Sequence, residues 1–475
     1  IKVPHPQHHR GAGGIENMVV ERQRVKEQDK IQRRSNFDPV ESNLTPEQVK
    51  LEASRCLHCK NPRCVQGCPV NIQIPEFIKA LKEDNLEEAG NIIRQTSMLP
   101  SVCGRVCPQE RQCEGNCILG IKGQAVAIGA LERYVGDNTQ AEKTEIKPTG
   151  KKVAIVGSGC AGITAAADLR KAGHEVVVFE ALHKLGGVLR YGIPPFRLPR
   201  TILDREITNL KAMGVEFHTD VVVGKSITLK QLKDDGFDAI FICSGAGLPK
   251  MMHIKGENLN GVFSANEFLT RVNLMGAGRD ANSITPLRIG KKVAVIGGGN
   301  VAMDAARTAV RVGFEEVSIL YRRTEKELPA RLEEIRHAKE EGVQFKFLHA
   351  PIEIFDKDGY VDGMKFEIME LGEPDASGRR RPVGTGKFVT EDVDTVIVAL
   401  GTGPNPIIQK SAEAEGMEII TDAKGYISVD PEKRSTNIPC VFAGGDVAPV
   451  GASNAINAMG AGKKAAKAIN EMLKV

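Results

Sequence analysis

The sequence predicts an α/β chain: an N-terminal helical, cysteine-rich domain followed by two doubly wound dinucleotide-binding domains. Three observations predict it. Eight of the 11 cysteines crowd into residues 56–117, in a region whose apolar residues recur only at helical spacing. From residue 151 onward, short β-branched runs alternate with helical ones: KKVAIVG, TAAADLRKAG and EVVVFE, then KKVAVIGG, AMDAARTAVRVG and EVSILYRR. That alternation belongs to a parallel sheet. Finally, KKVAIVGSG (151–159) and KKVAVIGGG (291–299) are near copies, so one design occurs twice. A chain of 475 residues, 41% of them hydrophobic, has room for about three domains.

The elements follow in order. PEFIKALKEDNLEEAGNIIRQ (75–95) and AVAIGALERYVGD (125–137) read as helices, the loops between them carry cysteines, and no strand is expected within 51–137. Composition changes near residue 150, where KTEIKPTGKK gives way to VAIVG, so the first domain is taken as 1–150. The Gly-rich stretch MGAGRDANS (275–283) reads as the crossover into the second nucleotide domain, giving 151–285 and a start at 286. Residues 366–388, rich in charge and glycine, read as a surface hairpin. PHPQHHRGAGG near the start reads as a disordered terminus or a docking tail.

Charge and hydropathy exclude several classes. Lys+Arg 64 against Asp+Glu 60 is close to balance, so no nucleic-acid partner is expected. The opening residues carry no apolar signal core and no run of 18 apolar residues occurs, so neither secretion nor a membrane span is expected and the compartment reads as cytoplasm. In a reducing compartment, crowded thiols point to metal rather than disulfides.

The glycine loops specify nucleotides. Gly157, Gly159 and Gly162 follow an apolar strand and open a helix, and the next strand ends in Glu180. Such glycines let backbone N–H groups approach a pyrophosphate, while the carboxylate accepts ribose hydroxyls. Gly297, Gly299 and Ala302 repeat the arrangement, with Asn300 and Val301 opening the helix, but this second strand ends in Tyr321, Arg322 and Arg323. Guanidinium groups there pair with a 2′-phosphate that a carboxylate would repel, so NADP(H) is expected. In VFAGGDV (441–447), Gly444, Gly445 and Asp446 end another apolar strand before a helix, where a carboxylate can hold a ribityl hydroxyl.

Together, the first loop with Glu180, the strand with GTGPNP (401–406) and the late AGGD resemble the two-dinucleotide flavoproteins. The resemblance implies FAD in the first domain and a nicotinamide in an inserted second one. The two domains would then be nested: 286–404 for NADP(H), and 405–475 as the second part of the FAD domain.

Cys56, Cys59, Cys64 and Cys68 are spaced C-x2-C-x4-C-x3-C-P, and Cys103, Cys107, Cys113 and Cys117 follow as C-x3-C-P-x4-C-x3-C. Eight thiols suffice for two four-iron clusters, and such short spacings suit iron–sulfur better than the paired knuckles of zinc, which stays the alternative. The motifs CGRVCPQERQCEGNC, IGALERY, GGVLRYGIPPFRLP and YRRTEKELPA resemble one family over nearly all of 45–475. It holds the glutamate synthase small subunit, the N-terminal part of dihydropyrimidine dehydrogenase, and the large subunit of NADH-dependent reduced ferredoxin:NADP+ oxidoreductase. The resemblance implies two [4Fe-4S] clusters with interleaved ligands: Cys56, Cys59, Cys64 and Cys117 for one, and Cys68, Cys107, Cys113 and Glu132 for the other. Cys103 becomes a bystander. It also implies that the segment with Gly187 lies along the flavin and that Arg197 approaches the reactive ring as the catalytic cation. Cys160, Cys243 and Cys440 read as packing residues.

An oxidoreductase subunit follows, because a flavin converts hydride chemistry into the single electrons that clusters carry. Resemblance leaves three assemblies open. RYGIPPFRLPR (190–200) looks more like the ferredoxin:NADP+ group, which implies electron bifurcation between NADPH, ferredoxin and NAD+, with a small flavin/[2Fe-2S] subunit that binds NAD(H) as partner. The alternatives are a glutamate synthase small subunit feeding an amidotransferase large subunit, and an electron-relay or docking subunit of a larger redox complex.

Overall fold

The computed structural model describes residues 20–140, 145–374, 378–450 and 454–474; the PHPQHHRGAGG stretch lies outside them. The first unit is helical, with no strand among residues 51–137. Its helix Pro46–Ser54 begins at a capping box: Thr45 Oγ1 accepts from Gln48 N while Thr45 N donates to Gln48 Oε1. In helix Ile74–Lys82, Ile74, Phe77, Ile78 and Leu81 form one buried stripe. The expected helical stretch 75–95 breaks at Asp84, whose φ is 57°, and restarts behind Asn85, whose side chain accepts from Glu88 N. Helices Pro100–Val106 and Ile128–Asn138 cross with their backbones in contact, since a Cβ on Gly104 would stand 2.5 Å from Arg133 N and one on Gly136 2.4 Å from Ser101 N. Only glycine permits that approach, which sets Glu132 among the cysteines of the neighbouring helix and loop.

The second unit is a five-stranded parallel sheet. Its strands β1 (Lys152–Val156), β2 (Glu175–Phe179), β3 (Glu216–His218) and β4 (Ala239–Ile242) are joined by the last strand of the chain, β15 (Val441–Ala443), in the order β15-β4-β1-β2-β3. Val153 to Val156 are all buried, as expected of a strand covered on both faces. Next comes a short crossing, β5 (Leu248–Pro249). The third unit contains β6 (Val262–Ser264), β7 (Lys292–Ile296), β8 (Glu316–Tyr321), β9 (Gln344–Phe347), the antiparallel strands β10 (His349–Lys357), β11 (Tyr360–Pro374) and β12 (Arg380–Glu391), and β13 (Thr395–Val398). Its parallel sheet runs β6-β13-β7-β8-β9, and β11 and β12 form the hairpin expected over 366–388. The chain returns through β14 (Thr402–Gly403), which pairs with β5, and ends with β15 (Val441–Ala443) and helix Ala455–Leu473.

The expected boundary at 285/286 is therefore too late. β6 already pairs with β13, Val262 opposite Val396, so the third unit begins at the β5 crossing, and residues 275–283 lie inside it. A three-residue strand running straight into the helix Ala265–Leu269 leaves no alternation to detect.

Residues 20–42 cross all three units. Arg22 pairs with Glu114, Val40 N donates to Phe196 O, and Arg33 reaches Glu341. Glu341 is fully buried and accepts from Arg33 Nε (2.9 Å), Arg307 Nη2 (2.8 Å) and Arg311 Nη1 (2.6 Å). The ring of Phe196 lies 4.7 Å from the Arg307 guanidinium and 3.9 Å from that of Arg311.

At the edge of this lattice, burial and then the neighbouring carboxylate of Glu333 push Glu41 up to about 8, against the pull of Arg133 and Arg331. A carboxyl that binds its proton more tightly when folded adds stability below its unfolded value and loses that stability as pH rises through the folded one. Thermal stability should therefore fall between about pH 5 and about pH 8 through this group. Glu41→Gln should flatten that part of the profile, and an unchanged slope in the variant would assign the slope to other groups.

Candidate functional site

The cysteines form two groups. Cys56, Cys59, Cys64 and Cys117 are half-buried and line one small cavity with Leu57, Pro62, Ile74 and Ile118. Cys68, Cys107 and Cys113 are buried, and Glu132 and Cys103 stand among them. All eleven cysteines are free thiols. Burial and then the neighbouring thiols raise Cys56, and burial pushes Cys64 and Cys68 up to about 11. Cys107 is raised by its hydrogen bond with Cys103 and then by burial, Cys113 by burial and then Glu114. Burial also raises Glu132, whose Oε1 is enclosed without a hydrogen-bond partner.

Such a donor set is costly as it stands, because crowded thiols and an orphaned carboxyl cannot ionise together without a compensating cation. A cationic iron–sulfur core removes that conflict and uses soft sulfur donors, so the residues fit the group. Cys103 differs: its Sγ is 3.4 Å from Met459 Sδ and accepts from Ser97 Oγ at 3.8 Å. The inner group thus abuts helix Ala455–Leu473, against which Val70 also lies, 3.2 Å from where a Cβ on Gly460 would be.

The first glycine loop divides its glycines by task. A Cβ on Gly157 (φ 115°) would meet Cys243 O at 2.5 Å, and one on Gly162 would meet Gly157 O at 2.0 Å, whereas one on Gly159 would meet nothing within 4 Å. Gly159 caps helix Cys160–Lys171 and borders the open space a pyrophosphate needs. Glu180, almost fully buried, accepts from Ser158 N (2.9 Å) and Ser158 Oγ (2.5 Å), and so fixes the loop while ending β2. Gly186 N donates to Ser158 Oγ, and a Cβ on Gly187 would be 2.9 Å from Gly159 Cα. The segment 186–199 therefore starts over the loop. Gly445 and Asp446 lie in a cavity of about 310 Å³ with Asn457, Arg434 and Val70. Burial and then the charges of Asp446 and Glu180 push Tyr191 up to about 12.

In the second loop, a Cβ on Gly297 would meet Ala399 O at 2.4 Å, and Gly299 caps helix Asn300–Val312 beside the partly exposed Val301. Asn300 Oδ1 accepts from Arg331 N at 2.9 Å. The two arginines after β8 part company: Arg322 is exposed, whereas Arg323 is buried and its Nε donates to Arg380 O at 2.8 Å.

Arg197 opens onto a set of carboxylates. It is buried against the third unit, donating from Nη1 to both oxygens of Asp304 (2.9 and 2.7 Å), and its Nε stands 2.8 Å from Glu334 Oε1 outside hydrogen-bond geometry. These carboxylates hold its pKa above the usual value despite burial. Burial and then Glu334 push Asp304 up to about 6, although Arg197 opposes them. Burial would also raise Glu334, but Arg197, Arg307 and Arg331 more than offset it.

Sequence reasoning missed Asp304, Glu334 and a second link. Arg111, between Cys107 and Cys113, donates to the carbonyls of Leu328, Pro329 and Ala330, while Arg331 donates to Arg105 O and Gln109 Oε1. The motifs CGRVCPQERQC and YRRTEKELPAR contain both halves, but not their pairing. Glu27, Glu41, Glu333 and His337 also converge, with ligand atoms within 4.8 Å of one another. Arg33, Arg133, Arg331 and Arg336 already neutralise them, so this is an ion-pair lattice. No helix among the described residues is long and apolar enough to cross a membrane.

Residues 33–144 match the family described as dihydropyrimidine dehydrogenase domain II, 4Fe-4S cluster, and residues 119–462 match pyridine nucleotide-disulphide oxidoreductase. The chain is 38% identical over 456 residues to the small chain of NADPH glutamate synthase of Escherichia coli (strain K12), covering 93% of this chain and 95% of that one. It is 39% identical over 444 residues to the beta subunit of NADP(+)-dependent formate dehydrogenase of Moorella thermoacetica, covering 86% of this chain and 60% of that one. FprA from Mycobacterium tuberculosis in complex with NADPH shares the fold, with a TM-score of 0.54 at 22% identity over 69% of this chain and 84% of that one. A four-iron-cluster domain joined to an FAD- and NADP-binding oxidoreductase domain, along a chain this similar to its relatives, places the protein in the glutamate synthase small-subunit family.

Proposed function

We propose that this chain takes a hydride from NADPH and delivers its electrons singly to a partner subunit. One observation carries the reading: Cys68, Cys107 and Cys113 are buried, with Cys103 among them touching the helix that follows Asp446, while Cys56, Cys59, Cys64 and Cys117 reach the surface. When bound, FAD supplies the conversion of hydride into single electrons and [4Fe-4S] clusters carry them. The chain's residues do the holding. Gly157, Gly159, Gly162 and the following helix N-terminus cradle the FAD pyrophosphate, Glu180 takes a ribose and Asp446 the ribityl chain, with Gly187 and Gly445 keeping the backbone close. Gly297, Gly299, Asn300 and Val301 cradle NADP(H). Cys56, Cys59, Cys64 and Cys117 hold an outer cluster, and Cys68, Cys107, Cys113 and Glu132 an inner one shielded from water. Arg197 acts as a positioning residue that holds the nicotinamide unit against the flavin unit through Asp304.

Near full-length similarity to a glutamate synthase small chain supports an amidotransferase subunit as the partner. RYGIPPFRLPR favours the second reading, a bifurcating assembly with ferredoxin and a small flavin/[2Fe-2S] subunit that binds NAD(H). Anaerobic purification of the native complex, followed by the mass of what accompanies this chain, separates the two. NADPH should bleach both flavin and cluster absorbance, and a chain that bleaches neither would overturn the proposal.

Arg322 is the cation available for the 2′-phosphate. Arg322→Glu should raise KM for NADPH about 10–100-fold, equivalent to about 1.5–3 kcal/mol, with NADH little affected. Equal changes for both nucleotides would assign Arg322 another task.

A further inference from the structure

We infer that the surface around the outer cysteines is a docking face for a protein electron carrier whose own redox centre is rimmed by carboxylates; this rests on the reading that electrons leave through that group. Leu57 and Ile118 line the same cavity as Cys56, Cys59, Cys64 and Cys117. They are 60% and 46% exposed, and Ile121 is 64% exposed. Ile118 and Ile121 begin and end one 3-10 turn, where side chains three apart eclipse, so both project from the same face beside Cys117. Exposed aliphatic side chains gathered at a redox-active group mark a contact surface rather than scattered surface residues.

Charge says what covers it. Sixty acidic residues are spread through the chain, yet neither 53–75 nor 115–131, the segments that carry the outer cysteines, holds one. Besides Arg55, which pairs with Glu52, they hold Lys60, Arg63 and Lys122, these three exposed and in no ion pair among the described residues. The helix that follows the second segment supplies Glu132, which faces the buried group. An apolar centre with an unpaired basic rim is the complement of an acidic carrier with an apolar centre, an arrangement that governs encounter more than residence.

Transfer balances simply. Two reduced one-electron carriers each give up an electron, and NADP+ takes the pair with one proton to become NADPH; the reverse releases that proton.

The test uses the holoprotein, anaerobically, and a plant-type [2Fe-2S] ferredoxin, reduced and freed of reductant, as an acidic carrier that drives NADP+ reduction. Lys60→Glu, Arg63→Glu and Lys122→Glu together should raise KM for the ferredoxin about tenfold or more, and the wild-type KM should rise with salt while the variant's does not. NADPH should still bleach the variant's absorbance at the wild-type rate, and basic cytochrome c should be reduced as well or better. An unchanged ferredoxin KM together with a flat salt dependence would overturn the inference while leaving the proposed function standing. Failure of NADPH to bleach even the wild type would remove both. A wild-type dimer that the substitutions dissolve would assign the face to a second copy of this chain and overturn the inference too.

Discussion

Glu341→Ala is expected to cost about 3–5 kcal/mol, because it leaves Arg33, Arg307 and Arg311 buried around an empty position. The loss exceeds the worth of any one ion pair. Three guanidinium groups have given up water for this carboxylate, and none can regain hydration without opening the seam between residues 20–42 and the third unit. Two readouts follow. The thermal midpoint should fall, and limited proteolysis should cut residues 26–36 faster in the variant. Arg33→Ala removes only the contribution of the N-terminal segment, so it should reproduce the proteolysis with a smaller loss of stability. Equal stability of Glu341→Ala and wild type would mean that the arginines find other acceptors.

Removing Glu132 should strip the inner group of its iron, and removing Cys103 should not. Glu132 Oε1 is buried without a partner, the condition of an atom waiting for a ligand, whereas the Cys103 thiol already has Met459 and Ser97. Glu132→Ala should lower iron from about eight to about four per chain and slow electron delivery to ferredoxin about 100-fold or more. Reduction of the flavin by NADPH should persist. Glu132→Cys should restore part of the iron, since a thiolate can take the same coordination place. Loss of iron in Cys103→Ala with retention in Glu132→Ala would reverse the assignment and make the inner ligands all cysteine.

The parallel sheets could be read from KKVAIVG and EVVVFE because strands buried on both faces are continuous apolar runs. β6 could not, since three half-buried residues followed by a helix cap carry no period. The cysteines announced their chemistry by spacing, but their division into two groups depends on a helix crossing at Gly104 and Gly136 that spacing does not encode. Arg197 shows the limit most clearly. Its segment is conspicuous in the sequence, yet its partner Asp304 is 107 positions away on another unit, and a lone arginine carries no sign of which carboxylate it will meet. The same holds for Cys103 and Met459, 356 positions apart.

The two passages between the second and third units lie side by side, Leu248 opposite Gly403 and Pro249 opposite Thr402. Paired strands stand about 4.8 Å apart, so the whole third unit leaves and re-enters its host through a single narrow gate. Such an insert is portable: its ends already meet, a few residues could close the host behind it, and the excised piece would begin and end at one point on its surface. A family built this way can exchange the nucleotide it reads by replacing one contiguous block of chain, as long as the new block keeps the acceptors that Arg33, Arg111 and Arg197 use on it.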